Sequence, residues 1–190
     1  DDHSGIMVLK QDAKVGMDFA EYSGHNDILI DIGVTPNRGD MLSHFGMARE
    51  FAAILNTKIK IPKLEIHPIH ENASDYIKIS TENPEYCKRF TGWVVKHIKI
   101  KESPEWMKKR LSAIGLRPKN NIVDITNYVM METGQPLHAF DYDKIRGKEI
   151  IVKTAKAGEK FKTLDGKERI LNDKSLMVCD AEGASSIAGI

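Results

Sequence analysis

Four hydrogen-bonding side chains stand within one mostly apolar stretch, NNIVDITNYVMMETGQPLHAFDYDK, residues 120–144. They are Asp124, Thr126, Asn127 and His138. Together they offer a carboxylate, a hydroxyl, an amide and an imidazole, which are groups that orient a polar ligand or move its protons. Either these groups satisfy one another inside a core, as most buried polar groups do, or they face a cavity in which a ligand binds.

The position of each residue in the sequence favours a structural or a functional interpretation to a different degree. Asp124 can be explained as a capping residue near the start of a helix. Thr126 and Asn127 fall in the middle of that helix, where such residues are mildly unfavourable unless their side chains have another task. Pro136 fixes the backbone two residues ahead of His138, so a rigid chain sets the direction of the imidazole.

Two further groups of residues could bind ions. His67 and His70 have a spacing that could suit a metal, but two histidines without a third ligand make a poor zinc site, and Pro68 prevents a regular helix. We therefore interpret them as histidines of a surface loop. A basic cluster is either a solvated face that complements a helix dipole or a contact with phosphates. Its members are Lys108, Lys109, Arg110, Arg117 and Lys119.

Motifs for nucleotide or metal chemistry are missing from the sequence. Its glycines form no phosphate-binding loop and no dinucleotide fingerprint, and there is no nucleophile elbow or zinc-binding HExxH helix. The sequence therefore predicts no cofactor and no metal in this segment.

A strand and a helix are predicted ahead of the polar stretch. DILIDIGVT, residues 27–35, is a β-branched run that predicts a strand, and Pro36 and Gly39 then break it. Asp40 is the expected cap of a helix that ends near Asn56. This helix is indicated by apolar residues at helical spacing: Met41, Phe45, Ala48, Ala52 and Leu55.

The middle of the chain is predicted to hold a connector, two strands and a helix. Residues 57–75 have little helical period and indicate a partly extended connector, and residues 76–80 and 89–100 are strand-like. Ser103 is the expected N-cap of the next helix, with Pro104 at its first position. The buried stripe of that helix is expected to be Met107, Leu111 and Ile114.

The polar stretch itself is ambiguous between strand and helix, and we favour a helix that Asn121 caps and Gly134 ends. After it, residues 148–171 predict two strands around a loop and then a hairpin turn at Asp165-Gly166. SLMVCD and SIAGI predict further strands. The predicted fold class is α+β, a mostly antiparallel sheet flanked by a few helices, in a larger module and a smaller N-terminal piece.

Composition limits the classes of function. Hydrophobic residues make up 41% and charged residues 29%, which is typical of a globular chain without a membrane span. The net charge of +1 argues against a strong nucleic-acid binder, although not against a segment that grips one end of a nucleic acid held elsewhere. Cys87 and Cys179 indicate buried free thiols in a reducing cytoplasm rather than a disulfide framework.

Several motifs carry a family resemblance. RPKNNIVDITNYVMMETGQPLHAFDYDKI closely resembles a segment of the bacterial phenylalanyl–tRNA synthetase β-subunit family. DIGVTPNRGDMLSHFGMARE is similar to the family's TPNR-D-LS…G-ARE region at the expected distance upstream, and LDGKERIL and SIAGI match in order. The resemblance covers nearly the whole chain.

The resemblance implies an internal fragment of a much larger subunit. It implies an N-terminal B1-like α/β piece over residues 1–58, a connector over 59–74, and a B3/B4-like tRNA-editing domain, truncated at its C-terminal end, over 75–190. That module hydrolyses tyrosine wrongly attached to phenylalanine tRNA, whereas the α subunit of a cytoplasmic α2β2 enzyme attaches phenylalanine with ATP and Mg²⁺. The implied partners are this tRNA and the α subunit, with no membrane and no DNA.

The resemblance also implies roles for four residues. Thr126 and Asn127 would hold the terminal adenosine or the ester, Pro136 would shape the wall, and His138 would hydrogen-bond the substrate or the attacking water. Whether His138 is a base or only orients stays open. Because the family's pocket continues beyond Ile190, the fragment is expected to hold half a site and to edit nothing by itself.

An alternative within the same family is a scaffold segment whose polar residues merely satisfy the core. The two interpretations differ in whether Thr126, Asn127 and His138 line an open pocket or point at buried partners. A free-standing RNA-binding module is a third interpretation. The charge balance and the lack of stacking aromatics in basic strands argue against it.

Overall fold

The chain forms two compact units, each made of two separate stretches of sequence. The computed structural model describes residues 5–24, 26–163 and 165–188. The first unit comprises residues 1–60 and 100–137, and the second comprises residues 61–99 and 138–190. The second unit starts inside the predicted connector, whereas residues 100–137 pack with the N-terminal stretch. The domain boundaries implied by the resemblance stay a prediction.

Within its described residues, the first unit is helical. Its helices are α1 (Phe19–Ser23), α2 (His44–Ile54), α3 (Glu105–Ala113) and α4 (Asn121–Thr133). Helix α4 packs against both α2 and α3. The Nδ1 of His44 lies 2.9 Å from the carbonyl oxygen of Met131, which ties the start of α2 to the last turn of α4.

Helix α2 begins three residues later than its apolar spacing predicts. The N-cap is Ser43, whose hydroxyl accepts a hydrogen bond of 3.0 Å from the Gly46 amide, so the expectation that Asp40 caps the helix is wrong. Asp40 instead accepts two hydrogen bonds from Arg38, at 3.0 and 2.9 Å, and Arg38 also pairs with Glu50. The bond from Arg38 lowers the pKa of Asp40.

Helix α3 also begins later than predicted. Pro104 occupies the N-cap position, and the Ser103 hydroxyl does not cap the helix. Met107 and Leu111 are buried as expected, with exposed fractions of 7% and 1%, but Ile114 is 36% exposed because it lies beyond the last helical turn. The buried stripe of this helix is therefore shorter than its apolar spacing predicts.

The polar stretch is a helix, as predicted, with its cap displaced by one residue. Asn120, not Asn121, is the N-cap: its side chain accepts hydrogen bonds from the amides of Ile122 and Val123 at 3.1 and 3.0 Å. Gly134 ends the helix with φ of 77°, in the left-handed region where glycine is favoured.

The second unit is built on a four-stranded sheet in the order β1-β2-β5-β6. Its strands are β1 (Lys78–Thr81), β2 (Glu149–Thr154), β5 (Leu176–Cys179) and β6 (Ala184–Ile187). The pair β1–β2 is parallel, and β2–β5 and β5–β6 are antiparallel. The last two residues of the predicted SIAGI strand, Gly189 and Ile190, lie outside the described residues.

The predicted Asp165-Gly166 hairpin is present and joins β3 (Lys160–Lys162) to β4 (Glu168–Ile170). Gly166 has φ of 79°, and its amide donates to the Thr163 carbonyl at 2.8 Å. The α+β prediction is confirmed, since helices occur together with mainly antiparallel strand pairs.

Apolar residues pack on both faces of the sheet. On one face Met177 and Cys179 of β5 pack with Ala155 and Leu171. On the other face Val178 packs with Ile145 and Ile150. Alternation along β5 therefore sends successive side chains to two clusters, which fixes the register of the strand.

Two stretches predicted as strands are not strands. Residues 27–35 are irregular, with Ile28 83% exposed, and residues 89–100 are irregular, with Trp93 75% exposed. Their β-branched composition indicates strand propensity, but no described segment pairs with them, and a lone strand leaves its backbone groups to water. In the connector, residues 57–72 contain no regular element, and a short 3-10 turn follows at Ala73–Asp75.

Candidate functional site

The middle of α4 presents Thr126 and Asn127, both half-buried. The Thr126 hydroxyl donates a hydrogen bond of 2.7 Å to the carbonyl oxygen of Val123, one turn back, so its oxygen remains able to accept another. The Asn127 side-chain amide has no hydrogen-bond partner among the described residues. Both side chains therefore retain hydrogen-bonding capacity for a ligand.

Asp124 has a structural environment instead. It is 1% exposed, and its carboxylate accepts bonds from the Ser103 hydroxyl at 2.5 Å and the Lys119 amide at 2.8 Å. The interpretation of Asp124 as a capping residue is supported by its bond to the amide of Lys119, which lies next to the N-cap Asn120 of the same helix. Its bond with Ser103 adds a link to the residue ahead of α3 that the interpretation did not foresee.

Pro136 and His138 follow α4 and are exposed. The imidazole of His138 meets the ring of Phe140 edge-on, with centroids 4.5 Å apart and planes at 63°. Phe140 in turn packs against the cluster of Ile145, Ile150 and Val178. Neither nitrogen of the His138 ring hydrogen-bonds to a described residue, so the ring is oriented by packing while its polar atoms stay available.

The predicted site residues divide between the units. Thr126, Asn127 and Pro136 belong to the first unit, and His138 opens the second stretch of the second unit. The assignment of these four residues to one pocket stays a prediction.

A cavity of about 600 Å³ lies in the second unit and was missed in the sequence. The buried part of its lining is apolar and the exposed part carries charges of both signs; the lining includes Glu82, Lys153, Glu159, Met177, Cys179 and Ala184. His138 is not among the described residues that line it. Two turns with glycines, Gly158 and Gly183, contribute to the lining of the cavity. In the sequence these glycines belong to no recognisable motif, so they did not reveal the cavity.

The Cys179 thiol is a poor nucleophile. It is 4% exposed, and burial raises its pKa, while the nearby Lys153 only partly opposes this effect. Because the thiolate is the reactive form, the side chain serves as a small apolar group beneath the cavity. Both cysteines are free, and Cys87 is half-buried rather than buried as predicted.

An ion pair between the exposed Arg146 and the buried Asp180 secures the turn between β5 and β6. Burial opposes ionisation of Asp180, but bonds from Arg146 and from the amides of Glu182 and Gly183 outweigh it and lower the pKa of Asp180 to about 2. The Arg146 Nε donates to this carboxylate at 2.6 Å. The turn beside the cavity is therefore held by a charged contact.

The two histidines whose spacing could suit a metal lie on the surface. His67 and His70 are exposed. Within residues 5–24, 26–163 and 165–188, no group of three or more histidine, cysteine, aspartate or glutamate side chains could hold a metal ion. Over the same residues, no helix has the length and apolar character needed to cross a membrane.

Comparison with known sequences decides the family. A sequence model described as the B3/4 domain matches residues 86–190, which is more than half of the chain. The chain belongs to the B3/4 domain family. The match covers α3, α4 and the strands from β2 to β6, and thus residues of both units.

Relatives of this B3/4 chain extend the similarity to its N-terminal part. It is 47% identical over 186 residues to the phenylalanine–tRNA ligase β subunit of Fusobacterium nucleatum and 46% identical to that of Bacillus cereus, covering 98% of this chain in each. The β subunit of Anaeromyxobacter dehalogenans is 43% identical over 100% of this chain. The chain spans 23–24% of the length of these relatives.

Proposed function

We propose that the chain is part of a phenylalanine–tRNA ligase β subunit and contributes to hydrolytic editing of tyrosine attached to phenylalanine tRNA. The observation that carries this proposal is 43–47% identity to such subunits along nearly the whole chain, combined with membership of the B3/4 family. The parent enzyme would be a cytoplasmic α2β2 ligase that binds tRNA. ATP and Mg²⁺ would serve its synthetic step, and no residue of this segment is assigned to them.

Physical chemistry gives a reason for an editing site. A pocket shaped for phenylalanine is apolar and rejects an added hydroxyl by only about 10²-fold. A second site that hydrogen-bonds the phenol selects the wrong product, because phenylalanine leaves its polar groups unpaired. Ester hydrolysis there needs a positioned water and donors for the developing oxyanion.

The roles proposed for the four residues follow their individual environments. Thr126 and Asn127 would hold the terminal adenosine or the ester with their remaining hydrogen-bonding capacity. Pro136 would shape the wall. His138, with its ring packed on Phe140 and both nitrogens available among the described residues, would orient the substrate or the attacking water.

The deciding experiment measures deacylation of tyrosyl-tRNA by the complete ligase carrying His138→Ala. We expect deacylation to fall about 10²-fold, the lower range for loss of a group that assists proton transfer, while phenylalanine attachment is retained. His67→Ala is the matched control, since His67 is an exposed histidine of the connector. Deacylation by His138→Ala at the parental rate would remove His138 from the mechanism.

A scaffold function is the second candidate, and one observation favours it. The hydroxyl of Thr126 already donates to the Val123 carbonyl within its own helix. In a scaffold the polar residues of α4 would only satisfy local backbone groups, and their substitution would change stability without changing deacylation.

A further inference from the structure

An exposed aromatic and cationic face lies on helices α3 and α4. Trp106 is 50% exposed, and its ring meets that of Tyr128 edge-on, with centroids 5.4 Å apart and planes at 87°. The guanidinium carbon of Arg110 lies 5.5 Å from the centroid of the Trp106 ring. We call these three residues the Trp106 face.

The Trp106 face is held in place before any ligand arrives. Arg110 Nη1 donates a hydrogen bond of 2.7 Å to the Tyr128 hydroxyl, and this bond links α3 to α4. The other N–H groups of the guanidinium are on an exposed side chain and can still donate. A ligand that binds here would lose little side-chain freedom of the protein, which favours affinity.

Basic residues outnumber acidic ones along α3 and the segment that leads to α4, which favours an anionic ligand. Lys108 is paired with Glu102 at 3.3 Å and with Glu105 at 2.6 Å, and the carboxylate of Asp124 is buried and hydrogen-bonded. The other basic residues of α3 and of the segment that leads to α4 are exposed: Lys109, Arg110, Arg117 and Lys119.

We propose that the Trp106 face binds single-stranded RNA, with an unpaired base stacked on Trp106 and a phosphate at the guanidinium of Arg110. Aromatic rings next to basic groups are the usual platform for single strands, because every base offers a flat face and every linkage a negative charge. A tryptophan half in solvent beside a guanidinium supplies both contacts. A duplex does not fit, since its bases are already stacked on one another.

This surface includes none of the four proposed hydrolytic residues, and binding needs no ester. That the RNA is a tRNA with its unpaired 3′ end rests on the proposed function. Binding of a plain oligoribonucleotide does not, so the two ideas can fail independently.

The test is titration of the 190-residue chain at low ionic strength with a short, single-stranded RNA of adenosine and cytidine. Trp106→Ala should weaken binding about 5- to 100-fold, the range for loss of one base–aromatic stack. Trp106→Phe, which keeps a ring, should retain most of the affinity. Trp93→Ala is the matched control, because Trp93 is also exposed but lies in the other unit.

A second variant is read through the salt dependence of binding, which a loss of folded protein would not change. Arg110→Gln changes an exposed side chain. The negative slope of log affinity against log salt should become shallower by about 0.7, as expected for one lost phosphate contact on a single strand. Arg110→Lys should keep that slope because it keeps the charge.

Any of three RNA-binding results would overturn the inference: equal affinities for Trp106→Ala and Trp93→Ala, duplex RNA binding as tightly as the single strand, or no binding by the unaltered chain. A fourth result would also overturn the inference. If the unaltered chain bound no RNA and Trp106→Ala changed the mass of the chain in sedimentation, the Trp106 face would be a protein interface. None of these results would alter the deacylation assay of the complete ligase, which tests the proposed function by itself.

Discussion

The hydroxyl of Ser103 donates a hydrogen bond of 2.5 Å to the buried carboxylate of Asp124, which joins the residue ahead of α3 to the first turn of α4. Ser103→Ala leaves this carboxylate with one donor fewer. We expect the free energy of unfolding to fall by about 1–3 kcal/mol, the cost of an unsatisfied buried group. Urea titration followed by circular dichroism measures the change. Ser112→Ala, an exposed serine of α3, should cost nothing, and equal losses for both variants would contradict the prediction.

Gly46 allows α2 to begin where it does. A Cβ at this position would lie 1.9 Å from the Asp40 carbonyl oxygen and 3.0 Å from the Met41 Cα, and both are backbone atoms. Gly46→Ala should therefore lower the free energy of unfolding by about 1–3 kcal/mol, because the backbone must shift despite the better helix propensity of alanine. In Gly39→Ala the new methyl group meets nothing within 4 Å, so its stability should be close to that of the parent. Thermal unfolding of both variants checks the difference.

The contact of Asp180 with Arg146 makes stability depend on pH in the acid range. The pKa of Asp180 is lowered to about 2 from 3.8, so the charged contact stabilises fully above pH 3.8 and is lost as pH falls towards 2. The shift corresponds to about 2 kcal/mol near neutral pH, of which about half remains at pH 3.

Asp180→Asn separates this contribution from the titration of other carboxylates. The variant should be less stable than the parent by about 2 kcal/mol at pH 7, and the difference should shrink to about half at pH 3. Urea unfolding at a series of pH values gives the two curves. A difference that stays constant over this range would show that the charge of Asp180 does not contribute as its pKa implies.

Thr126→Val distinguishes the editing and scaffold functions. Valine keeps the β-branched shape and loses the hydroxyl, whose donor bond goes to the Val123 carbonyl within the helix. Stability should change by no more than about 1 kcal/mol, whereas tyrosyl-tRNA deacylation by the complete ligase should fall at least about 10-fold if the hydroxyl also contacts the substrate.

Thr133→Val supplies the matched control for that experiment. The Thr133 hydroxyl bonds to the Val129 carbonyl at 2.8 Å in the last turn of the same helix. Thr133→Val should therefore leave tyrosyl-tRNA deacylation unchanged. If Thr126→Val leaves deacylation unchanged as well, only the scaffold function remains for this threonine.

Local patterns predicted α2, α3 and α4 but not where they begin, and they did not predict the short α1. The apolar spacing of α2, α3 and α4 is a property of neighbouring residues, so it can be read along the chain. Their caps were displaced by one to three residues because several polar residues stand near each start. Ser103 shows why the choice among them is not local: its hydroxyl bonds to Asp124, a residue on the next helix.

Strands depend on partners that no local pattern reveals. Residues 27–35 and 89–100 have strand composition and remain irregular, whereas the short β6 forms because β5 pairs with it. The cavity was missed for the same reason, since Glu82 reaches it only through the pairing of β1 with β2. The polar positions of α4 could be recognised from their sequence, but the packing of His138 on Phe140 could not, because ring geometry depends on the folded chain.

The parallel pair β1–β2 has a consequence for how the chain is made. Lys78 lies opposite Glu149, about 70 positions later, so a ribosome must finish the intervening helices before β1 meets its partner, and such distant pairings form slowly. Until β2 is made, the backbone N–H and C=O groups of β1 have no strand partner, and they can pair with neighbouring nascent chains. The order of synthesis therefore makes completion of the sheet, rather than formation of the helices, the step at which a chaperone would be of most use.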